Sequence, residues 1–140
     1  MPKQQAGKKI KILITEPEYF TARSLNLMRK AGQVTAKRMS RSEFLKNISK
    51  FDALVVRIET KVDRNLISRA KKLKCVVSTT TGLNHIDLDA LKSRNIPVFF
   101  LRGAHSVSTA EHTLALIFSA ARRIPTAHFN LIKGKWERFK

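Results

Sequence analysis

The apolar positions of the chain follow two patterns that alternate along it. Short runs of aliphatic residues are separated by longer segments in which apolar residues recur every three or four positions. The short runs predict strands and the longer segments predict amphipathic helices. The predicted strands cover residues 10–14, 33–39, 53–56, a run that begins at Cys75, and 97–101.

Four predicted helices separate these five strands. Gly32 is placed to end the first helix, and Asp63 and Asp87 are placed to cap the beginnings of the third and fourth. Regular alternation of strand and helix is typical of the α/β class. The chain is therefore expected to form a doubly wound, parallel, five-stranded sheet. Right-handed crossovers allow the flavodoxin-like strand order 2-1-3-4-5.

A longer apolar helix is expected after the fifth strand. Ser108 and Glu111 have the spacing of a capping box, which predicts that this helix begins at Ser108. Apolar residues then occupy nearly every face of the helix, which is typical of helices that are buried all round. A five-stranded sheet cannot easily cover such a helix, so a second domain or a second subunit is expected to do so. Pro125 is expected to open a last helix and Gly134 to close it.

Length, composition and the N-terminus are those of a single globular domain without a membrane helix or a signal peptide. A chain of 140 residues is long enough for one domain with a core. No apolar run approaches the ~20 residues of a membrane helix, and the N-terminus has no apolar signal core. Residues 1–9 are expected to form a disordered basic tail. The single cysteine, Cys75, is expected to be reduced, and the protein is expected to be cytoplasmic.

The net charge of +18 is the unusual feature of the composition. A strongly positive surface attracts polyanions, but the lysines and arginines are spread over almost every predicted helix. Neither a zinc-binding spacing nor an aromatic RNA-binding signature is present. Specific nucleic-acid recognition is therefore not expected. The four histidines show no metal-ligand or triad spacing, so no metal site is expected either.

Residues suited to binding a small anion follow two of the predicted strands. Arg57 follows the third strand, and its planar guanidinium suits a carboxylate or a phosphate. A loop with backbone donors follows the fourth strand, with residues Thr80, Thr81 and Gly82. The carboxyl ends of parallel strands share one edge, where ligands bind in open α/β sheets. Two readings remain open: a small-acid site, or a plain turn with Arg57 paired to Glu59 or Glu16.

Four segments carry a family resemblance: ALVVRIETKVD, TTTGLNHIDLDALKSRNIPV, STAEHTLALIFSAARRIP and KGKWERF. Together they resemble the substrate-binding domain of D-isomer-specific 2-hydroxyacid dehydrogenases, most of all the phosphoglycerate dehydrogenase branch. The similarity extends over roughly residues 10–139. It implies a flavodoxin-like domain at residues 10–104. It also implies a crossing helix and linker at residues 105–140, leading to a Rossmann domain that is absent from this chain.

The resemblance also implies roles for individual residues. Arg57 matches the substrate-binding arginine, and Thr80, Thr81 and Gly82 match the carboxylate-binding loop, with Thr81 also near the nicotinamide of NAD. The family's hydride-transfer residues, an arginine, a glutamate and a histidine, belong to the Rossmann domain, so no catalytic residue is expected in this chain. Its five glycines form no G-x-G-x-x-G.

The expected function follows from these correspondences. The chain would be the substrate-binding portion of an NAD-dependent oxidoreductase that acts on a small D-2-hydroxy acid. It would be inactive alone and would form a homodimer through the crossing-helix region. The alternative is a truncated, free-standing module that binds carboxylates or a protein partner without catalysis. A phosphate-accepting receiver domain shares the fold but needs an aspartate where Arg57 stands.

Three positions depart from the family pattern. Ile58 stands where a small polar residue is common, His105 where asparagine often precedes the capping serine, and Ser78 where some phosphoglycerate enzymes have an arginine. These departures favour a small 2-hydroxy or 2-keto acid other than 3-phosphoglycerate.

Overall fold

The computed structural model describes residues 9–136. Of the predicted basic tail at residues 1–9, all but Lys9 lies outside this range, as do the last four residues of the predicted linker. The chain divides into two compact units, with the boundary between Arg102 and Gly103. We call residues 9–102 the sheet unit and residues 103–136 the helical pair.

The sheet unit contains one five-stranded sheet in which every neighbouring pair of strands is parallel. Its strands are β1 (Ile10–Ile14), β2 (Gly32–Ala36), β3 (Ala53–Val56), β4 (Cys75–Ser78) and β5 (Val98–Phe100). The strand order is β2-β1-β3-β4-β5. The predicted fold class and flavodoxin-like order are therefore confirmed.

Four helices connect these strands: α1 (Ala22–Ala31), α2 (Arg41–Asn47), α3 (Arg64–Arg69) and α4 (Leu88–Lys92). Side chains alternate across a strand, so the sheet has two apolar faces and each has its own cluster. One cluster joins Leu13, Leu54 and Val76 to apolar residues of α2, α3 and α4. The other joins Ile12, Ile14 and Val55 to partly buried residues of α1. Helices thus lie on both faces, although α1 covers only part of the second face, where Phe99 of β5 is 57% exposed.

Two of the predicted helix caps are confirmed. The Asp63 carboxylate accepts a hydrogen bond from the Leu66 N–H at 2.9 Å, at the beginning of α3. The Asp87 carboxylate accepts one from the Ala90 N–H at 2.8 Å, at the beginning of α4. Each bond satisfies a backbone donor that the first turn of a helix leaves free.

Gly32 directly follows α1 as predicted, but it is needed for a different reason. Its backbone is extended rather than left-handed, and it is the first residue of β2. A Cβ at this position would lie 2.3 Å from the carbonyl oxygen of Ile10 on the neighbouring strand. The glycine is therefore required by the close approach of β1 to β2, not by a left-handed cap.

The helical pair consists of α5 (Ser106–Ala121) and α6 (Ile124–Ile132). The prediction that Ser108 caps α5 is wrong, because the helix begins two residues earlier. Gly103, with φ of +67°, turns the chain. The Ser106 N–H then donates to the Gly103 carbonyl at 3.1 Å. Ser108 lies inside the first turn, where its hydroxyl donates to the His105 carbonyl at 3.1 Å.

The ends of α6 agree with the sequence. Pro125 lies in its first turn, where no N–H is needed, and Gly134 follows its last turn with φ of +69°. Along both helices the large apolar side chains are exposed, with Leu114 at 52% and Phe118 at 62%. The partner or domain expected to cover them remains a prediction. Among residues 9–136, no helix combines the length and apolar character that crossing a bilayer requires.

Candidate functional site

The ends of β3 and β4 bring Arg57 and the loop at residues 79–82, called the threonine loop below, to the same edge of the sheet. Val56 pairs with Ser78 in the parallel register, and the Thr79 N–H donates to the Val56 carbonyl at 3.1 Å. Neighbouring strands lie about 4.8 Å apart. Arg57 directly follows β3 and Thr79 directly follows β4, so the two residues are close neighbours.

The threonine loop is braced by its own hydroxyl groups. Ser78 is 1% exposed, and its hydroxyl lies 2.9 Å from the Thr80 hydroxyl. The Thr80 hydroxyl in turn donates to the Gly82 carbonyl at 3.0 Å. These bonds tie the end of β4 to the exposed tip of the loop.

Gly82 differs from its predicted role in the turn. Its φ lies outside the left-handed region, and an added Cβ would meet no atom within 4 Å. The turn therefore does not require a glycine. Because position 82 has no side chain, the loop tip is left uncovered. Within residues 9–136, the N–H groups of Thr81 and Gly82 have no hydrogen-bond acceptor, and both residues are exposed. The tip thus presents two free backbone donors.

Arg57 does not form the surface ion pair that was the alternative interpretation. Its guanidinium stacks on the ring of Tyr19, 4.2 Å from the ring centroid. Within the described part of the chain, no carboxylate oxygen lies within 4.0 Å of its side-chain nitrogens. The donors of this guanidinium are therefore not used by an ion pair among residues 9–136.

Glu16 organises the backbone around Arg57, and the sequence reasoning did not identify this role. Its side chain is 2% exposed and accepts three backbone hydrogen bonds. The donors are the N–H groups of Arg57 at 3.1 Å, Glu59 at 3.2 Å and Thr60 at 3.1 Å. Hydrogen bonds to a charged group are the stronger kind, so this carboxylate fixes the loop after β3. An acidic residue at the end of an apolar strand was the available signal.

A second network lies on the exposed side of the same loop. The Tyr19 hydroxyl donates to Glu59 Oε1 at 2.9 Å, and Arg38 donates to Glu59 Oε2 at 2.7 Å. Arg38 also pairs with Glu18. The bond to Glu59 raises the pKa of Tyr19 above 10.0. The bonds from Tyr19 and then Arg38 lower the pKa of Glu59 below 4.5.

A cavity of about 220 Å³ lies at the carboxyl ends of β1, β2 and β3, the edge at which ligands bind in open α/β sheets. Thr15, Arg38, Arg41 and Glu59 are among its lining residues. Both arginines are already paired, since Arg41 donates to Asp63 and Arg38 to Glu18 and Glu59. The two arginines of the cavity therefore have less free donor capacity than Arg57.

Other polar groups near the edge complete its electrostatics. Arg102, after β5, stacks over the Phe100 ring at 5.2 Å and adds a second positive charge. Nε2 of His85 is buried and has no hydrogen-bond partner among the residues that the structure describes. That burial lowers the pKa of His85, although the nearby Glu16 acts in the opposite direction. Within residues 9–136, no three His, Cys, Asp or Glu side chains are grouped as metal ligands would be.

Comparison with known proteins identifies the relatives of this chain. The family model described as D-isomer specific 2-hydroxyacid dehydrogenase, catalytic domain, matches residues 12–132. D-3-phosphoglycerate dehydrogenase from Archaeoglobus fulgidus is 41% identical over 133 residues, which cover 94% of this chain and 25% of that protein. Hydroxypyruvate reductase from Thermotoga maritima is 33% identical over 128 residues, which cover 91% of this chain and 42% of that protein.

The fold is shared with solved structures as well. The crystal structure of PH0520 from Pyrococcus horikoshii superposes with a TM-score of 0.80 at 27% identity, covering 93% of this chain and 39% of that protein. The chain thus spans between a quarter and about two fifths of the length of these relatives. The match over residues 12–132 confirms the resemblance seen in the sequence, and the chain belongs to the D-isomer-specific 2-hydroxyacid dehydrogenase family.

Proposed function

We propose that this chain is the substrate-binding portion of an NAD-dependent oxidoreductase that acts on the CH–OH group of a small D-2-hydroxy acid. One observation supports this most directly. Among residues 9–136, the Arg57 guanidinium has no carboxylate partner, and it lies at the same sheet edge as the N–H groups of Thr81 and Gly82, which have no acceptor there. Free donors of both kinds at one edge suit a carboxylate.

The proposed binding mode divides the acid between these groups. Its carboxylate accepts hydrogen bonds from the amides of Thr81 and Gly82, and Thr80 braces the loop through its bond to the Gly82 carbonyl. The Arg57 guanidinium donates to the carboxylate or to the neighbouring hydroxyl or carbonyl oxygen. Arg102 and the net charge of +18 make the approach of an anion favourable.

NAD enters the proposal through the family. When bound, it would accept the hydride from the hydroxy acid. Thr81, exposed at the tip of the acid-binding loop, is the residue of this chain proposed to lie beside it. The 140 residues contain no G-x-G-x-x-G, so they are proposed to bind and orient the acid without catalysing its oxidation.

The acid is proposed as a class. Ser78, where some phosphoglycerate enzymes have an arginine, has a neutral hydroxyl and offers no positive charge to a phosphate, and it is buried against Thr80. The Archaeoglobus relative is named for phosphoglycerate and the Thermotoga relative for hydroxypyruvate. A small 2-hydroxy or 2-keto acid without a phosphate is the proposed ligand.

A homodimer through the helical pair is the proposed assembly. Ile117, Phe118, Ile124 and Phe129 are each more than half exposed. Covering apolar surface of this kind is favourable by roughly 25 cal/mol per Å². The same exposed residues favour the second candidate function, a free-standing module that binds a partner through its helices and catalyses nothing.

Nuclear magnetic resonance of the 15N-labelled 140-residue chain tests the acid site. Titration with D-glycerate and hydroxypyruvate should shift the amide signals of Thr81 and Gly82 and the side-chain Nε–H signal of Arg57, and 3-phosphoglycerate, the third acid tested, should shift them less. The variant Arg57→Met keeps an unbranched, flexible side chain but removes the guanidinium and its charge, and it should lose the response. Shifts confined to other residues, or an unchanged response in Arg57→Met, would contradict the proposal.

Catalysis is tested separately. The same chain, mixed with NAD and D-glycerate, should produce no NADH by absorbance. Turnover by residues 1–140 alone would show that hydride-transfer groups exist in this chain and would overturn the assignment of a binding role only.

A further inference from the structure

We infer that Tyr19 is a positioning residue for Arg57, and that Glu59 and Arg38 hold the tyrosine in place. The inference rests on the proposed function, because Tyr19 would affect acid binding only through Arg57. It assigns a role in the acid site to the loop after β1, which contributes no ligand contact in the proposed binding mode.

The first step is the stacking contact. An arginine side chain is long and flexible, and ordering it on ligand binding costs free energy. The Tyr19 ring covers one face of the Arg57 guanidinium at 4.2 Å, which restricts its motion before a ligand arrives. The N–H groups lie in the plane of the guanidinium, so stacking on its face leaves them free to donate.

The second step is the anchoring of the ring. Tyr19 ends a single 3-10 turn and is 49% exposed, so core packing does not hold it. Its hydroxyl instead donates to Glu59, whose other carboxylate oxygen accepts from Arg38. The ring is thus held by charged groups from two further strand ends.

The third step is the shared loop. Arg57 and Glu59 both have backbone N–H groups bonded to the buried Glu16 carboxylate. The group that anchors the tyrosine and the group that the tyrosine contacts are therefore fixed in the same rigid segment. Tyr19 bridges the loop after β1 to the loop after β3, and these strands are neighbours in the sheet.

The protonation states support the arrangement at neutral pH. The pKa of Tyr19 lies above its usual value and that of Glu59 lies below it. The hydroxyl therefore keeps its proton and the carboxylate keeps its charge, as the hydrogen bond between them requires.

Three variants of the full 140-residue chain separate the parts of the network. Tyr19→Leu removes the ring, Tyr19→Phe keeps the ring and removes the hydroxyl bond, and Glu59→Gln removes the charge that anchors the hydroxyl. The control is Lys37→Ala, which removes an exposed ion pair with Glu43 near the same edge but outside the network. All four changes are at exposed residues, so the urea unfolding midpoint should stay near that of the wild type.

Two readouts are recorded for each variant with D-glycerate as the probe. The Nε–H signal of Arg57 should carry a ring-current shift in the wild type and in Tyr19→Phe, and should lose it in Tyr19→Leu. The dissociation constant should rise about two- to tenfold in Tyr19→Leu, as expected when one long side chain must be ordered on binding. It should rise less in Tyr19→Phe and Glu59→Gln, and stay unchanged in Lys37→Ala.

The outcomes distinguish this inference from the function it rests on. If Tyr19→Leu binds D-glycerate as tightly as the wild type while Arg57→Met does not bind, the positioning role is overturned and the acid site stands. If the wild type binds none of the three acids, the acid site is overturned. In that case the ring-current shift still tests the stacking of Arg57 on Tyr19. Its absence from the wild type, or its persistence in Tyr19→Leu, would overturn the stacking.

Discussion

The sheet unit and the helical pair treat their apolar side chains in opposite ways. In the sheet unit, Leu13, Leu54 and Leu66 are 0% exposed and belong to a continuous core. In residues 103–136 no side chain is buried, and the leucines of α5 are more than half exposed. A sheet covered on both faces can bury its apolar residues within one unit, whereas two helices in contact leave most of theirs uncovered. The sheet unit is therefore expected to be stable by itself and the helical pair to depend on a partner.

The largest expected effect comes from removing the same side chain in each unit. Leu54→Ala leaves a cavity between β3 and the helices and should lower the free energy of unfolding by about 2–5 kcal/mol. At protein concentrations low enough to keep the chain monomeric, Leu116→Ala, at a position 57% exposed on α5, should change it by less than about 0.5 kcal/mol. Urea unfolding followed by circular dichroism measures both. Equal destabilisation would mean that Leu116 is covered in solution.

A charge in the exposed surface tests the proposed dimer. Phe118→Glu places a carboxylate among the apolar residues of α5, so a dimer formed there should dissociate to monomers. Leu27→Glu is the matched control, because Leu27 is 67% exposed on α1 of the sheet unit. Sedimentation velocity should show a wild-type dimer, a Phe118→Glu monomer and an unchanged control. A wild-type monomer at all concentrations would exclude the homodimer.

The helix beginnings give a smaller contrast between the units. Asp87→Ala removes a cap from α4 and should cost about 1 kcal/mol in stability. Ser108→Ala should cost less than about 0.5 kcal/mol, because this hydroxyl lies inside the first turn of α5 and caps nothing. Thermal unfolding of both variants measures the difference. A larger loss from Ser108→Ala would restore the capping box that the sequence predicted.

The smallest effect is expected from pH and concerns His85. Its pKa in the folded chain lies below 6.5 because of burial. Below about pH 6.5 the unfolded chain therefore binds more protons than the folded one, so stability is fully present above that pH and falls on acidification. Urea unfolding at pH 7.5 and 5.5 should show this decrease in the wild type and a smaller decrease in His85→Asn. An identical pH dependence in both proteins would assign it to other groups.

Local patterns explain most of what the sequence predicted. The strands, the helices and the caps Asp63 and Asp87 were predicted because periodicity and capping act within a few residues, and the strand order followed from the handedness of crossovers. Ser108 failed because a competing local signal, the turn at Gly103, begins the helix earlier. Arg57 and the threonine loop were located by strand ends alone, and their role in binding an acid stays a prediction.

The sequence by itself determined most of the elements and the family, since each depends on short-range patterns or on motifs in sequence, and the right-handedness of crossovers then allowed the strand order to be predicted. The tertiary structure alone decided what surrounds Arg57. Glu16 lies 41 residues from Arg57, and Tyr19 lies 40 residues from Glu59. The need for glycine at position 32 likewise comes from a carbonyl on another strand. Such contacts form only when the sheet brings distant strand ends together, so no pattern within one segment records them.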